Sequence, residues 1–272
     1  PPPAIIAAMP RSASNRHPVV LLQHDADFGP GYLTSALGDF GIPTSVVKLH
    51  DGGAVPDDLD EIRMLISLGG NARVDDGGFD EELAALEKFV DADRPVIGIG
   101  LGAQLLAKAA GAEVMENRTQ GDDPQPAPVA GWTPIKLPFP GGTDPIMFGL
   151  HDGARFFSFH RDTFTLPKLP PPPGYDPDKP GPPPPTGNLL LASTPHCKNA
   201  AFRFKTSAYG FQFHFELTPV DIEAILITNA ETIPAHTTID ELRSDTKVHA
   251  DRAETLARRL IENIVQYRRV YD

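Results

Sequence analysis

Four apolar runs of strand length, PVVLLQ (18–23), PTSVVKL (43–49), IRMLISL (62–68) and PVIGIG (95–100), recur along the chain up to residue 100. Such runs lack the in–out alternation of a strand that faces water on one side, so both of their faces must be covered. Between them lie stretches of helical periodicity. Phe79, Leu83, Leu86 and Val90 recur at spacings of four, three and four and share one face. Doubly covered strands separated by helices predict a doubly wound α/β fold, with a mostly parallel central sheet and helices on both faces. After residue 130 the pattern changes. GWTPIKLP, ARFFSF, NLLLAS, NAAFRF and AYGFQFHF read as short strands with turn residues between them, which predicts a smaller antiparallel strand region.

Residues 1–17 read as a loose N-terminal tail, because their short apolar patch has no basic stretch before it as a signal peptide would. Residues 18–272 are expected to form a single domain. Within it, 168–187 is too rich in proline to pair in a sheet or continue a helix. It is expected to be a surface insertion, with a docking site for a proline-binding partner as the alternative. Ala253, Leu256, Leu260, Ile264 and Tyr267 share one face, which predicts a C-terminal helix over about 247–268 packed on the body of the domain. The net charge of −12 argues against a nucleic-acid or anionic-membrane partner, since both need a basic footprint. No apolar run approaches the roughly 20 residues that cross a bilayer. The one cysteine, Cys197, excludes an intrachain disulfide, and a cytoplasmic location is expected.

The stretch RPVIGIGLGAQLLA (94–107) begins as a buried strand and ends as the start of a helix. A strand that turns sharply into a helix lifts its apical residue out of the sheet, beside exposed backbone N–H groups that can hold a developing oxyanion. A non-glycine residue there sits in a backbone conformation costing on the order of 1–3 kcal/mol. The apex, residue 100, is a glycine. By itself G-x-G-x-G is equally a phosphate loop or close packing, but no GxGxxG or Walker pattern accompanies it, and no cofactor is expected. Further along, AYGFQFHFELTP (208–219) reads as a strand on which His214 and Glu216 are two apart and share one face. A carboxylate beside an imidazole holds its tautomer and supports its cation, which is the rear of a nucleophile–His–acid triad. The plain alternative is a strand-end histidine paired with an acid for solubility. The nine histidines show no ligand-type spacing, so no metal is expected.

Together these segments resemble the class I glutamine amidotransferase domain, particularly its stand-alone GMP-synthase-type subgroup, a flavodoxin-like fold. VVLLQH (19–24) is similar to the family's first strand and LISLGGNARVDD (65–76) to its G-G oxyanion loop. PVIGIGLGAQLLA is similar to the elbow G-[ILV]-C-x-G-x-Q, and FSFHRDTFTLP (157–167) to W-H-G-D-T-F. LLAST…CKNAAFRF (190–204) and YGFQFHFE (209–216) complete the series, in family order over roughly 18–217 apart from the proline insertion. The resemblance implies His214 as general base, Glu216 as its orienting acid, and the backbone N–H groups of Gly70 and Leu101 as the oxyanion hole. It places Gln104, His160 and Asp162 at the amino-acid end of a glutamine substrate, and Gly100 on the nucleophilic cysteine.

In the family a thiolate attacks the side-chain amide, ammonia leaves, and water releases glutamate from the thioester. Without sulfur no thioester forms, and loss of a protease nucleophile costs about 10⁶-fold in turnover. Cys197 has no elbow to present it and reads as a structural thiol. Asn71 replaces the proline common after G-G, Arg161 the small residue of W-H-G-D, and Ala200 a usually polar position. The leading expectation is therefore a glutamine amidotransferase-like protein with a degenerate site, inactive as a glutaminase and binding glutamine or a γ-glutamyl compound. Three alternatives stand beside it: an authentic glutaminase or γ-glutamyl hydrolase carrying a Cys-to-Gly substitution, a regulatory or scaffolding protein using the fold as a surface, and direct hydrolysis by a water that His214 activates. Any synthetase or regulatory partner is expected to be a separate polypeptide.

Overall fold

The computed structural model describes residues 17–119, 121–172, 175 and 185–267. The tail expected over 1–17 lies outside them except for His17, as does most of the expected insertion 168–187. The central sheet has seven strands: β1 (Val19–Gln23), β2 (Thr44–Lys48), β3 (Met64–Ser67), β4 (Val96–Ile99), β9 (Asn188–Ala192), β10 (Ala201–Phe204) and β11 (Ala208–Phe211). Their order is β2-β1-β3-β4-β11-β10-β9. The first five pair in parallel, and β10 runs antiparallel to both β11 and β9.

Alternate residues of each parallel strand feed two separate cores. Val19, Leu21, Met64, Ile66, Ile97 and Ile99 meet helices α1 (Tyr32–Asp39) and α5 (Ile239–Tyr267). Val20, Leu22, Leu65 and Val96 meet α2 (Asp80–Asp91) and α3 (Leu101–Ala109). The unbroken apolar runs thus bury both faces, and the doubly wound architecture follows. On α2, Leu86 and Val90 are buried, with Phe79 and Leu83 packed beside them. A third cluster lies under α4 (Pro219–Thr228). No helix among the described residues is long and apolar enough to cross a membrane.

The expected antiparallel strands are present, and two boundaries differ from expectation. β9 and β10 extend the main sheet, while β5 (Val114–Glu116) pairs with β8 (Asp162–Phe164) and β6 (Val129–Pro134) with β7 (Arg155–His160) in two small sheets. β11 ends at Phe211 instead of running through Glu216, because its neighbour β4 leaves the sheet at residue 100; the last rung is the bond from the Gly100 N–H to the Phe211 carbonyl, 2.8 Å. The C-terminal helix starts at Ile239, well before 247, because Thr238 and Glu241 cap it reciprocally. The Thr238 N–H donates to the Glu241 carboxylate at 2.9 Å, and the Glu241 N–H donates to the Thr238 hydroxyl at 3.2 Å.

Candidate active site

The site lies at the carboxyl ends of β3 and β4, the usual edge for ligands in parallel sheets. Between β4 and α3 the chain reverses at Gly100, with φ 56° and ψ −117°. Glycine alone adopts this conformation without strain. Its neighbours are glycines for a different reason. A Cβ on Gly98 would lie 2.3 Å from the Gly102 carbonyl oxygen, and one on Gly102 would lie 2.1 Å from that of Ser67. Strand, helix and the end of β3 therefore touch through backbone.

Above the apex lies His214. The chain past β11 is held by the His214 N–H, which donates to the Phe157 carbonyl at 2.7 Å. His214 Nδ1 and Glu216 Oε1 are 2.8 Å apart, and both side chains are fully buried. The pair forms although no strand carries it, because an extended segment also projects residues two apart to one side. With Nδ1–H donated to the carboxylate, Nε2 carries the free lone pair. Among the described residues this Nε2 has no partner, and neither does Glu216 Oε2. The ring is packed against glycine. A Cβ on Gly100 would lie 2.7 Å from His214 Cε1 and 3.0 Å from Nε2, and a Cβ on Gly69 would lie 2.6 Å from Cε1. The imidazole occupies the space in which a side chain at residue 100 would start.

The loop after β3 supplies Gly69 and Gly70. A buried relay holds it from behind: Ser67 Oγ donates to Glu82 Oε1 at 2.6 Å, Glu82 Oε2 faces His24 Nε2 at 2.8 Å, and His24 Nδ1 faces the Gly69 carbonyl at 3.2 Å. Both ring nitrogens meet acceptors. Burial alone would lower the His24 pKa, but the hydrogen bond and charge of Glu82 and the Gly69 carbonyl outweigh it and raise it. Because C=O and N–H point opposite ways in a trans peptide, fixing the Gly69 carbonyl towards His24 turns the Gly70 N–H away from it. Neither that N–H nor the Leu101 N–H has an acceptor among the described residues.

The remaining expected residues converge beside these donors. Gln104, His160 and Asp162 are buried, and the Asp162 carbonyl accepts from both Gln104 Nε2 (3.3 Å) and His160 Nδ1 (3.0 Å). Burial pushes the His160 pKa down to about 4, with the nearby His214 and His196 contributing, so its ring is neutral at neutral pH. The Asp162 carboxylate is gripped from across the cleft by Arg73, with Nε to Oδ2 at 3.0 Å and Nη2 to Oδ1 at 2.6 Å. Reciprocally, Arg161 Nη2 donates to the Asn71 carbonyl. Two arginines therefore strap the loop 70–73 to the turn 160–162. The cleft they border, about 180 Å³, is lined by Gly70, Leu101, Gln104, Asn229, Thr232 and Pro234 among others. Gly100 and His214 are not in its walls.

The expected site residues are thus brought together, but the base is sealed beneath the cleft. Sequence reasoning missed the His24–Glu82–Ser67 relay, the grip of Arg73 on Asp162 and the wall at 229–234. His24 and Arg73 stand inside segments already singled out, yet only tertiary packing reveals their partners. Cys197 is buried, and burial raises its pKa above the ordinary thiol range, as suits an unreactive thiol.

The sequence pattern of the glutamine amidotransferase class-I family matches residues 29–166. A curated relative, the candidate glutamine amidotransferase-like protein YfeJ of Salmonella typhimurium, is 28% identical over 195 residues, which are 69% of this chain and 71% of the relative. Among solved structures, a glutamine amidotransferase from Methylobacillus flagellatus superposes with a TM-score of 0.75 at 23% identity, covering 92% of this chain and 94% of its own. A candidate GMP synthase component from Thermoplasma acidophilum superposes with a TM-score of 0.54 at 21% identity, covering 93% and 97%. At these identities the structural likeness speaks for the fold.

Proposed function

The chain belongs to the glutamine amidotransferase class-I family, and from that premise we propose that it is a member with a degenerate catalytic site, one that keeps a cleft for a glutamine- or γ-glutamyl-sized ligand but does not turn glutamine over. The observation that carries this reading is the contact between His214 and Gly100. The base and its acid are retained, the elbow keeps its positive-φ geometry, and the imidazole rests where the side chain of a nucleophile would begin. Direct hydrolysis by a water on His214 is disfavoured by the same packing, since a buried ring outside the cleft wall has no room for the water. In this reading Gly70 and Leu101 present N–H donors to the ligand, and Gln104, His160 and Asp162 line its other end. The chain's placement with the GMP-synthase-type subgroup rests on the order of the sequence motifs. A cytoplasmic location and a regulatory protein partner belong to the same reading.

Two measurements test it. Ammonia release from glutamine by the unaltered protein should remain at background, and Gly100→Cys should not restore it, because the new Cβ requires His214 to withdraw. Turnover by this variant at rates typical of intact relatives would show that the rest of the machinery is sound and that the site is not degenerate. Titration calorimetry with glutamine and γ-glutamyl compounds tests the ligand-binding half, and a silent titration would remove it.

A further inference from the structure

The charges around the cleft are not those expected of a pocket for a zwitterionic amino acid. Among its lining residues, two guanidinium groups, Arg73 and Arg161, face a single carboxylate, Asp162, and His160 is held neutral by burial. The wall carries one net positive charge in a chain of net charge −12. The two arginines also differ in how far they are committed. Arg73 is spent on Asp162 through two hydrogen bonds, so an incoming ammonium would have to displace a bidentate guanidinium to reach that carboxylate. Arg161 makes one hydrogen bond, to the neutral Asn71 carbonyl, and no ion pair among the described residues. Its remaining N–H donors and its whole charge are available at the cleft mouth. At the inner end the Gly70 and Leu101 N–H groups are two further donors without acceptors.

We infer that the cleft selects a net-anionic carboxylic acid without a free α-ammonium, of the dicarboxylate class: one carboxylate on Arg161 at the mouth, the other on the Gly70 and Leu101 N–H groups. This rests on the reading that the cleft binds a ligand, and it sharpens which one. The uncommitted charge in the wall is cationic, its one carboxylate is already neutralised, and the unpartnered side-chain acceptor, Asn71 Oδ1, carries no charge. A ligand with an ammonium finds no free carboxylate to pair with, only this neutral, buried acceptor, whereas one with a carboxylate at each end satisfies both ends of the cleft.

The test is a set of calorimetric titrations of the full chain with glutarate, glutaramate and glutamine, which share a carbon skeleton length but differ in charge. Glutarate should bind about tenfold or more tightly than glutamine, with glutaramate, which lacks the ammonium but keeps the amide, in between. Arg161→Gln, at an exposed position, should cost glutarate about tenfold and glutamine less, because the α-ammonium beside its one carboxylate offsets that charge, and Arg161→Lys should retain part of the preference. Glutamine binding as tightly as glutarate would overturn the anion preference while leaving the ligand-binding function standing. Glutarate binding undiminished in Arg161→Gln would overturn the role given to Arg161. Silence with all three compounds would sink both this inference and the reading on which it rests.

Discussion

His160 and His24 lie on either side of the cleft loop and respond to pH in opposite directions. The folded-state pKa of His160 lies near 4, below the ordinary 6.5, so on acidification the unfolded chain takes up its proton first. The stability tied to a neutral His160 is complete above about 6.5 and lost as pH falls towards 4, up to about 3 kcal/mol. His24 has its pKa raised by Glu82 and the Gly69 carbonyl against the cost of burial. Its contribution is complete below about 6.5 and lost as pH rises through the folded-state value. Urea midpoints measured across pH 4–9 should therefore fall at both ends. His160→Gln should flatten the acid side relative to the unaltered protein, and Glu82→Gln should flatten the alkaline side. A variant whose profile parallels that of the parent would show that its histidine does not titrate as described. The same residue scale explains why three glycines two apart carry different meanings. Gly98 and Gly102 are demanded by backbone contact, and Gly100 by a positive φ.

At the scale of elements, the long C-terminal helix depends on a cap that is visible in the letters T-x-x-E at 238–241. Thr238→Ala should cost about 1 kcal/mol, read as a shift in the denaturant midpoint; an unchanged midpoint would show that the first turn contributes nothing. Much of the fold was legible in this way. The apolar runs gave β1 to β4 because strands covered on both faces have a signature of their own, and the spacing over 79–90 gave α2. That the site residues gather at one place was legible because order along the chain identified the family. What the sequence could not give was set by partners distant in the chain. Where β11 stops depends on where β4 departs, and β9 and β10 join the main sheet because β11 offers them an edge. Arg73 reads as one more surface charge until Asp162, 89 residues away, is seen to face it. The early start of α5 is a different case, since apolar periodicity begins later than the cap, and attention to the capping residues would have found it.

At the scale of the whole molecule, the proline-rich segment leaves and rejoins the body at one place. The Leu169 N–H donates to the Thr186 carbonyl at 2.8 Å, and Asn188 Nδ2 donates to the Pro167 carbonyl. Its ends are already in contact, so a short glycine–serine link in place of 171–184 closes the loop at an entropic difference of less than about 1 kcal/mol. The melting temperature should be preserved; a drop of many degrees would mean that the segment packs on the domain. Only a loss of partner capture in the shortened protein would favour the docking role. The seating of His214 on a floor of glycines also has a consequence for descent. On the proposed reading, a single codon change that brought back the thiol would deliver it into occupied volume, and a change that first swung the ring aside would gain nothing until the thiol arrived. Neither step alone offers selection any advantage, so a lineage that has crossed this point is held there as by a ratchet.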